Sequence, residues 1–243
     1  MSDQYVMPDG VSTNGKSFSG ALFRDCKRQE IINNYGCGSV YRTDFLEKFT
    51  LTGDWTLTDI GSASPTFAVV DGRGGLVDLD AVSSTQHKGG QIQRASTVGE
   101  AYAPLANTKI WFEARILLKD IATVPNFFVG LHDIDTSILS SGAMVDASND
   151  WIGFKCETAL TTLLGTCSNN TTESVTGTLL TLSSLYDGDV TTDGTAWLKL
   201  GVRVTGTGLI EFYLQGVKVG QITSNIPTAL MVPTFVLETD GTV

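Results

Sequence analysis

The stretch Trp197-Leu-Lys-Leu-Gly-Val-Arg-Val-Thr-Gly-Thr-Gly-Leu-Ile-Glu-Phe-Tyr-Leu-Gln-Gly-Val-Lys-Val-Gly-Gln-Ile-Thr223 decides the fold. Leu198, Leu200, Val202 and Val204 alternate with Lys199, Gly201 and Arg203. That period of two places one face of a strand in a core and the other in water. Thr205-Gly-Thr-Gly and Gln215-Gly interrupt the alternation with turn chemistry. The segment therefore predicts three antiparallel strands in a meander. Upstream, Trp55-Thr-Leu-Thr repeats the pattern, as do Asn126-Phe-Phe-Val-Gly-Leu-His and Trp151-Ile-Gly-Phe-Lys-Cys. In Ile110-Trp-Phe-Glu-Ala-Arg-Ile, Trp111, Glu113 and Arg115 share one face, with Phe112, Ala114 and Ile116 on the other. Strands at short intervals without intervening helices predict an all-β, antiparallel β-sandwich or jelly roll.

Composition agrees. The 243 residues include 31 threonines and 26 glycines against 6 prolines, a mix that suits strands and tight turns. A chain this long buries ~70–75% of its unfolded surface without staples. Its 42% hydrophobic content and lack of long charge runs exclude disorder. No run approaches the ~18 apolar residues of a membrane helix. Residues 1–20 are polar, so no secretory signal is expected.

The net charge of −10 is unevenly placed. Residues 1–50 hold six basic and six acidic side chains, so the remaining 193 carry the whole excess. An acidic body repels polyphosphate, and neither nucleic acid nor membrane is expected as a partner.

Two domains are expected: an N-terminal arm over 1–43 and a sandwich over 44–243. Gly10, Gly15 and Gly20 break the start of the arm, and Ala21 to Asn34 reads as a short helix stopped near Gly36. Arg24, Lys27 and Arg28 form a basic patch on that helix. It reads either as a docking surface for an acidic partner or as a solvated helix face.

The chemistry-bearing residues point away from catalysis. Cys26, Cys37, Cys156 and Cys167 lie in pairs eleven apart, too far for the usual zinc spacing, and read as reduced thiols. His132, beside Asp133 and Asp135, reads as a surface hydrogen-bonding residue, and His87 lies in a loop. No G-x-S-x-G is present. Glu238-Thr-Asp240 and Asp133-Ile-Asp135 are the near matches to a glycosidase carboxylate strand, and neither is complete. Asp187-Gly-Asp189 with Asp193 reads as turn chemistry rather than a calcium loop. Asn169-Asn-Thr-Thr holds two glycosylation sequons, read as chance loop residues. Residues 133–149 and 183–194 read as polar loops. No catalytic residue, metal or cofactor is expected. Trp55, Trp111, Trp151 and Trp197 suit a core, although an exposed Trp55 or Trp151 could stack on sugar rings.

The succession Ile110-Trp-Phe-Glu-Ala-Arg-Ile, Asn126-Phe-Phe-Val-Gly-Leu, Asn149-Asp-Trp-Ile-Gly-Phe and Leu198-Lys-Leu-Gly-Val-Arg-Val carries a resemblance. Ile210-Glu-Phe-Tyr-Leu-Gln-Gly-Val-Lys-Val-Gly-Gln-Ile and Asn225-Ile-Pro-Thr extend it, over about residues 45–238. The order resembles the concanavalin A-like (laminin-G/laminarinase-type) jelly rolls of tailed-phage virion structural proteins. The resemblance implies a non-enzymatic capsid (head) decoration protein, anchored through its arm to the major capsid protein or other virion proteins. It would be part of a virion assembled in the host cytoplasm, with a homo-oligomer, such as a trimer, as the expected state. The alternative is a glycan-binding adhesin module of a tail fibre or capsid surface. The family pattern has a further strand after Thr234-Phe-Val-Leu; either a neighbouring subunit or the N-terminal region is expected to fill that sheet position, or the edge is left short and open to pairing.

Overall fold

The computed structural model describes residues 53–70, 76–80, 86–94, 102–117, 126–145, 149–157, 162–182 and 197–239. The chain divides into two units between Arg42 and Thr43, and every described residue lies in the second. The arm with Arg24, Lys27 and Arg28 lies outside the described residues, as do Cys26, Cys37, Asp187, Asp189, Asp193 and Asp240.

The strands are β1 (Trp55–Ile60), β2 (Thr66–Val70), β3 (Leu76–Asp80), β4 (Gly89–Arg94), β5 (Lys109–Ile116), β6 (Asn126–His132), β7 (Leu139–Ser140) and β8 (Ala143–Met144). They continue with β9 (Trp151–Cys156), β10 (Thr162–Asn169), β11 (Thr172–Val175), β12 (Leu180–Thr181), β13 (Leu198–Thr205), β14 (Leu209–Leu214), β15 (Val217–Ile222) and β16 (Val232–Glu238). All pairings are antiparallel, and no α-helix occurs among the described residues. The large sheet runs β1-β4-β16-β6-β9-β10-β11, with β12 also on β10. The smaller sheet runs β15-β14-β13-β5.

Alternation explains the core between the two sheets. Phe127, Val129 and Leu131 from β6, with Ile152, Phe154 and Cys156 from β9, face Phe112, Leu200, Val202, Ile210 and Phe212 of the smaller sheet. The rings of Phe154 and Phe212 meet edge to face at 5.4 Å across that interface. The hairpin turns fall where the glycines put them: Gly206 adopts φ 57° and Gln215-Gly216 adopt φ 50° and 86°. A two-residue turn with both φ positive matches the twist of the flanking strands.

The meander reading holds for β13–β14–β15 and not for the large sheet, where strands distant in sequence are neighbours. The expected open edge after Thr234-Phe-Val-Leu is corrected. That segment is β16, which pairs with β4 on one side and β6 on the other. Over Thr234–Glu238 both of its sides are paired. Local alternation could not reveal this, because β4 and β16 lie some 140 residues apart, as the hydrogen bond between Gln93 and Thr234 (|i−j|=141) illustrates.

One pair of glycines shapes the face of the large sheet that points away from the core. Gly130 of β6 and Gly153 of β9 stand opposite each other. A Cβ on Gly153 would sit 2.5 Å from the Val129 carbonyl oxygen and 2.8 Å from the Phe128 ring. The missing side chain is the space that ring occupies. Gly153→Ala should destabilise the domain by about 1–3 kcal/mol in urea denaturation, the usual cost of overpacking. Gly208→Ala, where an added Cβ meets nothing within 4 Å, should leave the midpoint close to wild type.

Candidate functional site

Most outward side chains in the middle of the large sheet are buried. They include Gln91 and Gln93 from β4, Thr234, Val236 and Glu238 from β16, and Phe128 and His132 from β6. Trp151 and Lys155 from β9, with Thr166 and Ser168 from β10, complete the face. Phe128 meets His132 edge-on at 5.8 Å, and His132 stacks on Trp151 at 5.7 Å with the planes 10° apart. An aromatic run therefore lies across the glycine floor.

Residues 133–145 cover it. Ile138, Leu139 and Met144 form a second hydrophobic cluster with Ile60, Phe128, Trp151 and Val236, separate from the core between the sheets. The cover is fastened by side chains of the sheet beneath. Gln91 Nε2 donates to the Asp135 carbonyl (2.6 Å), and its Oε1 accepts from Ile138 N (3.2 Å). Gln93 Nε2 donates to the Asp133 carbonyl (2.8 Å), and its Oε1 accepts from Asp135 N (3.1 Å). The Glu238 carboxylate accepts from Gly142 N at 3.1 and 3.3 Å. Each glutamine thus uses both ends of its amide on loop backbone that the cover removes from water.

A polar chain crosses the far side of this face. Trp151 Nε1 donates to Thr166 Oγ1 (3.0 Å), which donates to Glu173 Oε1. Lys155 Nζ lies 2.6 Å from Glu173 Oε1 and 2.8 Å from Glu157 Oε2. Glu157 Oε1 accepts from Met144 N (2.9 Å), which returns the chain to the cover. Lys155 is 3% exposed, and two carboxylates meet a charge that would be costly to bury alone.

The expected surface position of His132 is corrected: the ring is fully buried. Its Nδ1 lies 2.7 Å from the Asp133 carbonyl oxygen, and Asp133 Oδ1 is equally near but off the hydrogen-bonding direction. His87 lies in a turn, its Nδ1 3.1 Å from Glu238 Oε1. Trp151 is 0% and Trp55 2% exposed, so neither offers a ring face to a sugar. Trp111 and Trp197 are half-buried instead, on the smaller sheet. Asn169 and Asn170 are exposed at the β10–β11 turn. Cys156 and Cys167 are buried thiols.

The reading of 133–149 as a plain polar loop missed the cover. Its signal was available: Ser141-Gly142, with φ of 54° and 81°, is a hairpin turn flanked by Leu139 and Met144. Glu157, Glu173 and Lys155 carried no such mark, because they meet only once β9, β10 and β11 are paired.

No protein-family model and no curated protein matches the chain. Solved structures do. The β-glucanase of Bacillus licheniformis is similar at a TM-score of 0.51 and 16% identity, over 85% of this chain and 88% of that one. The endo-1,3-β-glucanase of Streptomyces sioyaensis gives 0.48 and 13%, over 82% and 84%. A carbohydrate esterase from the Shiga toxin-encoding bacteriophage phi24B gives 0.38 and 13%, over 77% and 91%. At these identities the likeness concerns the fold. The protein is a concanavalin A-like jelly roll of the architecture found in β-glucanases. The expectation of a non-enzymatic protein is corrected by the same finding, because a glycoside hydrolase shares this fold. Incomplete carboxylate motifs read along single strands were insufficient grounds for it, since tertiary pairing brings together acids from different strands.

Three outcomes follow from this geometry. Gln91→Ala and Gln93→Ala should speed hydrogen exchange at the Ile138 and Asp135 amides respectively, while β13 amides exchange as in wild type. Burial pulls the Asp135 carboxyl up, but hydrogen bonds from Ser137 and Asn149 and the His132 charge outweigh it and hold it below its ordinary value. A lowered carboxyl stabilises the fold above its ordinary titration range and ceases to do so as pH falls through the lowered value. Asp135→Asn should therefore unfold at less urea than wild type at neutral pH, with the two midpoints converging in acid. Burial, and then the nearby Glu173, pushes the Cys167 thiol up to about 12. In a Cys26→Ser/Cys37→Ser protein, a thiol reagent should label Cys156 and Cys167 only after denaturation.

Proposed function

We propose that this protein is a structural component of a tailed-phage virion, a capsid decoration protein. The jelly roll is the displayed block, and residues 1–43 attach it to the shell. The observation that carries the reading is the sealed outer face of the large sheet. Ile138, Leu139 and Met144 add a third apolar layer over a two-sheet sandwich. The resulting body is packed on both sides of its central sheet, as suits a rigid outward-facing block. The charge distribution supports the same reading, with the −10 lying wholly after residue 50 and the basic Arg24, Lys27 and Arg28 in the arm. Incubated with capsids stripped of decoration, the full chain should co-sediment with them. Removing 1–43 should abolish the association while thermal unfolding of the remainder stays cooperative, and Arg24→Glu/Lys27→Glu/Arg28→Glu should weaken it. Unchanged co-sedimentation of the truncated chain would exclude the anchoring role.

A second reading, glycoside hydrolysis, draws on Glu157 and Glu173. Their oxygens at 2.8 and 2.6 Å from one ammonium nitrogen are held within the about 5.5 Å separation of a retaining pair. Lys155 occupies the space between them, so this role requires the ammonium and the cover to move aside. Activity on a β-glucan panel that vanishes in both Glu157→Gln and Glu173→Gln would favour it over the structural reading.

A further inference from the structure

The outer face of the smaller sheet carries chemistry that neither reading above uses. Trp111, Arg203, Glu211 and Gln221 stand opposite one another in one row across β5, β13, β14 and β15. Glu113, Gly201, Tyr213 and Lys218 form the next row, and Arg115 and Lys199 are paired in a third. Trp197, just before β13, lies under Arg115, whose guanidinium carbon is 4.6 Å from the ring centre. Arg203 lies 5.9 Å from the Tyr213 ring centre. Trp111, Trp197 and Tyr213 are all half-buried, so each ring is partly open to solvent.

The cations are held in place by a few carboxylates. Arg203 Nε donates to Glu211 Oε2 at 2.7 Å, and Lys218 Nζ lies 2.7 Å from Glu211 Oε1. Lys199 Nζ lies 3.1 Å from Glu113 Oε1. Yet the face remains basic. The four strands contain Lys109, Arg115, Lys199, Arg203 and Lys218 against Glu113 and Glu211, on a chain whose net charge is −10. At its centre Gly201 supplies no side chain, between Glu113 and Tyr213 in its row and Lys199 and Arg203 along its strand. Gly201 itself is buried, so the side chains around it form the surface at that point.

We infer that this face binds an anionic polysaccharide, a chain of uronic-acid type, across its three rows. Tyr213, Trp111 and Trp197 offer ring faces to the C–H surfaces of sugars. Arg115, Lys199 and Arg203 meet the carboxylates, arginine through its planar fork. Five basic against two acidic side chains on this sheet of an acidic chain give the complementarity that selects a charged glycan over a neutral one. The site is independent of whether residues 1–43 attach the protein to a capsid.

The test uses the full chain in calorimetric titrations with polygalacturonate, dextran and oligothymidylate. Polygalacturonate should bind, and tighter at low salt. Dextran and oligothymidylate should bind at least about tenfold more weakly. Arg115→Gln/Lys199→Gln, two changes at solvent-facing positions, should weaken polygalacturonate binding about tenfold, the scale of losing a charge-assisted contact. Trp111→Ala should weaken it and Trp111→Phe restore most of it. The inference is overturned if wild type does not bind polygalacturonate, binds dextran or oligothymidylate equally well, or is unaffected by the double change. It is equally overturned if sedimentation finds a dimer that the double change dissolves, since a second copy would then cover the face.

Discussion

Burying the outward face of the large sheet leaves its polar groups in need of partners, and residues 133–145 supply those of Gln91, Gln93 and Glu238. An unsatisfied buried amide costs about 1–3 kcal/mol, so a cover placed over Gln91, Gln93 and Glu238 would be untenable without matching groups. The cover presents its backbone instead. The Asp133 and Asp135 carbonyls and the Asp135, Ile138 and Gly142 amides each meet one of those three side chains. This reciprocal satisfaction fixes the cover in one position, and Ile138, Leu139 and Met144 then complete the apolar packing. Polar residues on this face of the strands are therefore anchors rather than solvated positions.

The topology makes that arrangement possible. β16 enters between β4 and β6, placing Glu238 opposite both Gly89 and Asn126 in the sheet. The Gly130–Gly153 pair lowers the floor so that Phe128, His132 and Trp151 can lie across it beneath the cover. Lys155 sits at the opposite margin between Glu157 and Glu173, and Glu157 also holds Met144 N. The two outer faces of the sandwich consequently differ in kind. One is sealed by the chain itself, and the other carries half-buried rings and five of the eight basic side chains of the described residues. The functional reading follows from that difference more than from the fold, which β-glucanases share.

Much of the fold was legible in the sequence. β5, β6, β9, β13, β14 and β15 were each marked by alternation, and the turns at Gly206 and Gln215-Gly216 by their residues. β4 was not, because Gly89-Gly-Gln-Ile-Gln-Arg94 has a single large apolar residue and its glutamines point into a covered face. β10 was missed for a similar reason: Thr166 and Ser168 are buried polar residues where alternation would place water. His132 looked like a surface group beside two acids, since nothing local announces that a hairpin six residues later will fold over it.

By itself the sequence determined an all-β chain, its principal strands, the two faces of β5 and β13, and the asymmetry of its charge. These depend on neighbours two to four residues away, where period-two alternation and turn chemistry operate. Only the tertiary structure decided that β16 lies inside the large sheet and that 133–145 seals its outer face. It alone brought Glu157 and Glu173 to one lysine and gathered Trp111, Gly201 and Tyr213 into one surface. The physical reason is separation along the chain. Gln93 bonds Asp135 across 42 residues, Glu238 bonds Gly142 across 96 and Gln93 bonds Thr234 across 141, contacts that no local pattern encodes.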